Sequence, residues 1–201
     1  MKTIAVCIVS YNHEKFIAQA IESVLVQEGT ANIIIYIGED HSTDNTANIC
    51  LEYAKTHKQI KLYLRTHNMC LVANTIDLFT KILQDGCEYI AILDGDDFWI
   101  DRHKLQKQLD FLETHSEYGL IHTNINLLFD NGKIIEEYRT SVPSGYVFYE
   151  NPIPAIANCT VFFRSELLTN CNLQDFIKWH FMSVDYALYI ILAKHTKFQF
   201  I

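Results

Sequence analysis

From Ile4 to Leu93 the chain alternates short apolar runs with segments of helical periodicity, and that order restricts the fold more than any other feature of the sequence. Residues 4–9 form a compact apolar run that ends at Ser10-Tyr11-Asn12, after which Ile17, Ile21, Val24 and Leu25 recur at helical spacing. Residues 33–37 repeat the strand signal. Ser42 then offers an N-cap with Asp44 in the first turn, and Ala47, Cys50, Leu51 and Ala54 form one helical face. Residues 60–64 read as a third strand, Val72, Ile76, Phe79 and Leu83 keep helical spacing up to an Asp85-Gly86 stop, and residues 89–93 read as a fourth strand. Strands separated by helices of this length predict an α/β fold, a mostly parallel sheet with helices on both faces. In such sheets ligands sit beyond the carboxyl ends of the strands.

After Trp99 the pattern changes. Leu105, Leu109 and Leu112 mark an amphipathic helix, and residues 119–129 and 133–138 flank Asp130-Asn131-Gly132 as a hairpin. Pro143, Pro152 and Pro154 break the next stretch, residues 158–163 read as another strand, and Ser183 is expected to cap a helix running to about His195. The expectation is one domain over residues 1–201, with a nucleotide-sugar-binding half at 1–100 and a mixed, acceptor-side half at 101–201.

Composition excludes some functions. Twenty-four acidic against 16 basic residues give a formal net charge of −8, which disfavours a broad grip on nucleic acid phosphates. Six cysteines are scattered without a CxxC pair, several in apolar runs, so the expected setting is reducing and cytosolic with no structural zinc. No secretion signal opens the chain, and its longest apolar run, residues 187–193, is far below the roughly 20 residues needed to span a bilayer. Membrane association is therefore expected either as peripheral binding, at the inner face of the cell membrane, or through a segment outside this chain.

The sharpest chemical signal is Asp94-Gly95-Asp96-Asp97, three carboxylates crowded directly behind an apolar run. Carboxylates held close repel one another, and a hard divalent cation that shares its oxygen ligands with phosphates offsets that repulsion. Gly95 would let the backbone approach a ligand. The plain alternative is a solvated acidic turn. A second acidic strand end, Gly38-Glu39-Asp40, falls on the same sheet edge, where a carboxylate can accept hydrogen bonds from a base or ribose; otherwise it is an acid preceding a helix. Tyr11 closes the first strand and offers a ring for a base, or packs in the core. The nine histidines show neither HxxxH nor HExxH spacing and carry no metal assignment. Arg102, His103, Lys104 and Lys107 read as a solvated helix face.

Taken together, Val9-Ser10-Tyr11-Asn12, Glu39-Asp40-His41-Ser42-Thr43-Asp44 and Asp94-Gly95-Asp96-Asp97 with Trp99 resemble the family 2 glycosyltransferases, of GT-A fold, in order and spacing across nearly the whole chain. Lys104-Leu105-Gln106-Lys107-Gln108 adds to the match, which is strongest with bacterial enzymes that build surface polysaccharides. The resemblance implies that Tyr11 and Asp40 contact the base, Asp94 the ribose, and Asp96 a Mn²⁺ or Mg²⁺ bridging the diphosphate, with Asp97 beside it and Trp99 either walling the sugar pocket or packing in the core. It also implies a nucleoside-diphosphate sugar as donor, UDP by default, and a saccharide or lipid-linked saccharide as acceptor. Asp185, in Ser183-Val184-Asp185-Tyr186, stands where such enzymes supply the general base of an inverting transfer; its bland role is an acid at a helix N-terminus.

The chain departs from the family pattern in places. Asn68-Met69-Cys70 stands where Asn-x-Gly is common, Glu39 replaces an aspartate, and the early end suggests a trimmed catalytic core. Gln-x-x-Arg-Trp is missing, which with the lack of membrane spans argues against a processive synthase. Nucleotidyl transfer would want a Gly-rich loop after the first strand, and none is there. The remaining competitor is a degenerate module that binds the nucleotide sugar and transfers nothing.

Overall fold

The computed structural model describes residues 1–138, 156–179 and 183–201. Three βα units and a fourth strand come first: β1 (Thr3–Ser10), α1 (Ile17–Leu25), β2 (Asn32–Glu39), α2 (Thr46–Thr56), β3 (Ile60–Leu64), α3 (Cys70–Gln84) and β4 (Tyr89–Asp94). Then follow α4 (Lys104–Thr114), β5 (Tyr118–His122), β6 (Ile125–Leu128), β7 (Ile134–Tyr138), β8 (Phe162–Arg164), α5 (Leu173–Lys178), α6 (Asp185–Leu192) and β9 (Lys197–Phe200). The main sheet has seven strands in the order β3-β2-β1-β4-β8-β5-β9. β3, β2, β1 and β4 are mutually parallel, β8 runs antiparallel to both β4 and β5, and β9 is parallel to β5.

Period-two alternation along β1 explains the layers. Ala5, Cys7 and Val9 pack with Ile76, Phe79 and Ile82 of α3 and Leu188 and Leu192 of α6, while Ile4, Val6 and Ile8 pack with Ile17, Ile21 and Val24 of α1 and Leu105, Leu109 and Leu112 of α4. With both faces covered, the strand is apolar throughout, as a buried parallel strand must be. Each such Ile, Leu or Val contributes about 1.5–3 kcal/mol on burial, which pins the register. In that register Val9 lies beside Asp94 and Ser10 beside Glu39, so the polar ends of β1, β2 and β4 share one edge.

Some local expectations are corrected. α2 begins at Thr46, not Ser42: the Asp44 carboxylate accepts from the Thr46 N–H at 2.9 Å and its hydroxyl at 2.6 Å, and the Ser42 hydroxyl accepts from the Asn12 N–H at 2.9 Å instead. The stretch 119–129 is two strands, β5 in the main sheet and β6 in a separate hairpin with β7. That hairpin turns at Asp130-Asn131-Gly132, where Gly132 has φ +79°. Residues 158–160 are a 3-10 turn rather than a strand, and β8 is only Phe162–Arg164. α6 starts at Asp185 with no side-chain cap from Ser183, and ends at Leu192. Pro143, Pro152 and Pro154 lie outside the described residues. All six cysteines are free thiols. Among the described residues no helix is long and apolar enough to cross a membrane.

Candidate active site

A cavity of about 660 Å³ opens at the carboxyl edge of β1, β2 and β4, lined by Tyr11, Asp40, Asp94, Asp96, Asp97 and Asp185 among others. The sheet brings together residues 174 positions apart in sequence, since Tyr11 and Asp185 line the same cavity. Tyr11 follows β1 and is 42% exposed, a surface residue and not a core one. Asp40 is buried behind β2, and its Oδ1 accepts the Met69 N–H at 2.7 Å, tying the second strand end to the loop before α3. Glu39 is buried as well, but its Oε1 accepts the Ser42 N–H at 2.8 Å and it does not line the cavity.

After three successive strands a non-glycine residue takes the left-handed region: Asn12 at φ +57° and His41 at +62° in loops, and Cys70 at +67° where α3 begins. Such residues cost free energy and cluster where a backbone shape serves a site. Asn12 is suited to it, because its Oδ1 accepts the Thr43 N–H at 2.8 Å and holds the first two loops together. Cys70 occupies the position where the resemblance leads one to expect glycine, and its backbone keeps the glycine-like conformation.

Asp94 ends β4 with both carboxylate oxygens near the Asn158 amide, which donates to Oδ1 at 3.3 Å and Oδ2 at 3.2 Å. Burial pushes its carboxyl up to about 6, against the Asn158 bond that lowers it, with Asp97, Asp96 and Asp185 adding repulsion. Asp97 is likewise raised, by burial first, although the Cys159 thiol donates to it. Asp96 stands half exposed with His13 Nε2 4.0 Å from its Oδ2. Gly95 is demanded by packing: a Cβ there would lie 2.6 Å from His13 Nδ1 and 2.9 Å from Ser10 Oγ. Close neighbours are a second reason for glycine at this position, beside the approach to a ligand expected from the sequence.

Among the described residues, no Lys or Arg lines this cavity, and four of its lining residues are the aspartates Asp94, Asp96, Asp97 and Asp185, with Asp40 a fifth. Nor do three His, Cys, Asp or Glu groups converge there to hold an ion unaided. Asp96 nevertheless offers hard oxygen donors at a solvent-facing position, which fits Mg²⁺ or Mn²⁺ held through one or two carboxylates with phosphates and water completing the shell.

Two sequence readings fall elsewhere. Trp99 is a core residue whose Nε1–H donates to the Cys159 carbonyl at 2.7 Å, and it does not line the cavity. Lys104 is buried, not solvated. Its Nζ donates to Gln108 Oε1 at 2.8 Å and to the Thr160 carbonyl at 3.3 Å, and lies 4.4 Å from the Trp99 ring centre. Residues missed by sequence reasoning are Asn158, His13 and Tyr189. The one available signal was the polar Asn158 beside an apolar run, which the strand reading absorbed.

Comparison with known proteins adds the family. The family model for Glycosyl transferase family 2 matches residues 5–170. The putative glycosyltransferase EpsE of Bacillus subtilis is 37% identical over 121 residues, covering 60% of this chain and 41% of EpsE. Among solved structures, S. aureus TarS 1-349 superposes with a TM-score of 0.67 at 17% identity, over 100% of this chain and 58% of that one. The mannosyltransferase PcManGT from Pyrobaculum calidifontis, in complex with GDP-Man and Mn²⁺, gives 0.59 at 18% identity, over 83% of this chain and 45% of that one. The fold is therefore the GT-A-like α/β fold of these glycosyltransferases. The chain spans well under two thirds of the length of the curated relatives it matches, 37% for uncharacterized proteins of Mycobacterium.

Proposed function

The chain belongs to glycosyl transferase family 2, and we propose that it is an inverting, metal-dependent, non-processive glycosyltransferase. It moves a sugar from a nucleoside-diphosphate sugar to a hydroxyl of a saccharide or lipid-linked saccharide, in bacterial polysaccharide biosynthesis at the inner face of the membrane. One observation carries the reading: Tyr11, Asp40, Asp94, Asp96 and Asp185 line a single cavity whose described walls hold no Lys or Arg. Such a cavity repels a diphosphate unless a cation enters with it. PcManGT, of the same fold, is described with a nucleotide sugar and Mn²⁺, which supports the reading.

In this proposal the exposed Tyr11 ring presents a stacking face to the base, Asp40 accepts a hydrogen bond from it with the oxygen not held by Met69, and Asp94 accepts from the ribose hydroxyls. Asp96 would hold Mn²⁺ or Mg²⁺, which when bound supplies charge neutralisation for the departing diphosphate. Asp185 takes the proton from the acceptor hydroxyl as it attacks the sugar. Residues 1–100 thus serve chiefly the donor, and residues 101–201 the acceptor, within one domain.

The test is calorimetric binding of UDP, GDP and TDP sugars with and without Mn²⁺, for wild type and Asp96→Ala. We expect Mn²⁺ to strengthen binding of one donor in the wild type, and Asp96→Ala to lose that coupling at an unchanged melting temperature. No metal dependence with any donor, or full dependence in the variant, overturns the assignment. A donor that binds but is never consumed with any acceptor identifies a binding module instead.

A further inference from the structure

The turn at residues 158–160 is held far more firmly than its length of three residues would suggest. Trp99 Nε1–H donates to the Cys159 carbonyl at 2.7 Å, and Gln108 Nε2–H and Lys104 Nζ donate to the Thr160 carbonyl at 3.0 and 3.3 Å. The Thr160 hydroxyl donates back to the Ala157 carbonyl at 2.7 Å, and the Ile92 N–H donates to the Val161 carbonyl at 3.1 Å, joining the end of the turn to β4. The backbone of Asn158 is thereby fixed beside the end of β4, 64 residues away in sequence from Asp94.

Its side chain is fixed from the other side. Tyr189, buried in α6, donates its hydroxyl to Asn158 Oδ1 at 2.6 Å, and Asn158 Nδ2 donates to both oxygens of Asp94. An amide oxygen can only accept and a carboxylate can only accept, so this arrangement admits one orientation of the amide. Tyr189 stands one helical turn after Asp185, on the same face of α6. A line of hydrogen bonds therefore runs from the helix that bears Asp185 to the carboxylate at the end of β4.

We propose that Asn158, oriented by Tyr189, is a positioning residue that holds the Asp94 carboxylate for the donor and fixes α6, with Asp185, against the donor site. Trp99, Lys104 and Gln108 act through it by anchoring its turn. The inference rests on the reading of this cavity as a donor site. It explains why Trp99 and Lys104, which follow the acidic motif in sequence, point away from the cavity yet belong to the site. Asn158 donates from one nitrogen to both Asp94 oxygens, which leaves each of them further lone pairs for the cavity that Asp94 lines.

The experiment measures affinity for UDP, GDP and TDP, each with Mn²⁺, in wild type, Asn158→Ala, Tyr189→Phe and the double variant, with melting temperatures alongside. Loss of a hydrogen bond to a charged group predicts a roughly tenfold weaker nucleotide for Asn158→Ala, and loss of one between neutral groups a severalfold weakening for Tyr189→Phe. In the Asn158→Ala background Tyr189→Phe should weaken binding no further, since the hydroxyl acts only through the amide. A purely structural role would lower the melting temperature and leave the two effects on affinity independent. Affinity for Asn158→Ala within twofold of a binding wild type, or additive effects in the double variant, overturns the inference and leaves the donor site standing. A wild type that binds none of the three overturns both together.

Discussion

Lys104→Met isolates the energetic cost of burying an amine under the site. Burial lowers the Lys104 amine from its ordinary 10.5 to about 7, although the Cys159 thiol and Asp101 favour its charge. Its ammonium also faces Trp99 and two carbonyl-type acceptors, so the charged form is opposed by desolvation alone. Since the folded value is depressed, the unfolded chain binds more protons than the native one between about 7 and 10.5. Stability from this group therefore rises with pH through that window and is lost as pH falls through it. Between pH 7 and 9 the difference in bound protons integrates to roughly 1.7 units, about 2 kcal/mol at 1.36 kcal/mol per unit. Methionine keeps the unbranched volume and has no proton to lose, while Gln108 still donates to the Thr160 carbonyl. Leaving Gln108 Oε1 unpaired costs about 1–3 kcal/mol at every pH and so does not alter the slope. Urea unfolding of both proteins at pH 7, 8 and 9 gives the assay. The wild type should gain about 2 kcal/mol more than Lys104→Met between the ends of that range. Curves that stay parallel within about 0.5 kcal/mol would refute the claim that this buried amine titrates near neutrality.

Asp185→Asn should reduce turnover on the order of a hundredfold or more with nucleotide affinity nearly unchanged, measured as nucleoside diphosphate release with the best acceptor of a saccharide and lipid-linked panel. If Asp185 merely favours the N-terminus of α6, where its Oδ1 accepts the Tyr186 N–H at 2.8 Å, the same variant loses only about 0.3–1 kcal/mol of stability and keeps its turnover. Cys70→Gly should be neutral to stabilising. Release of the φ +67° strain returns about 1–2 kcal/mol, against about 0.5–1 kcal/mol of added freedom in the unfolded chain. A melting temperature unchanged or raised by a few degrees is expected in scanning calorimetry, and a fall of several degrees would show that the cysteine side chain itself is needed there.

Local periodicity was enough for the first half. Strands and helices over residues 3–94 follow from apolar spacing, and the parallel order they impose places Tyr11, Asp40, Asp94 and Asp96 at one edge before any contact is known. The order of motifs likewise sufficed for the family. Tertiary structure decided what lies beyond β4. β8 has three residues, too few for any period to show, yet it pairs with β4 and β5 and so places Asn158 beside Asp94. Lys104 and Gln108 share the buried face of α4 with Leu105, Leu109 and Leu112, but a polar side chain next to an apolar stripe reads as solvated until a partner carbonyl is seen. Trp99 was a candidate wall of the sugar pocket on sequence grounds and is a clamp on a turn 60 residues away. For residues 3–94 the sequence alone determines which elements form and which edge carries the acids, because both depend on neighbours a few residues apart. How the acids are held depends on pairs distant in sequence, such as Tyr189 with Asn158, 31 residues apart, and Asn158 with Asp94, 64 apart, and only the folded chain makes those pairs neighbours.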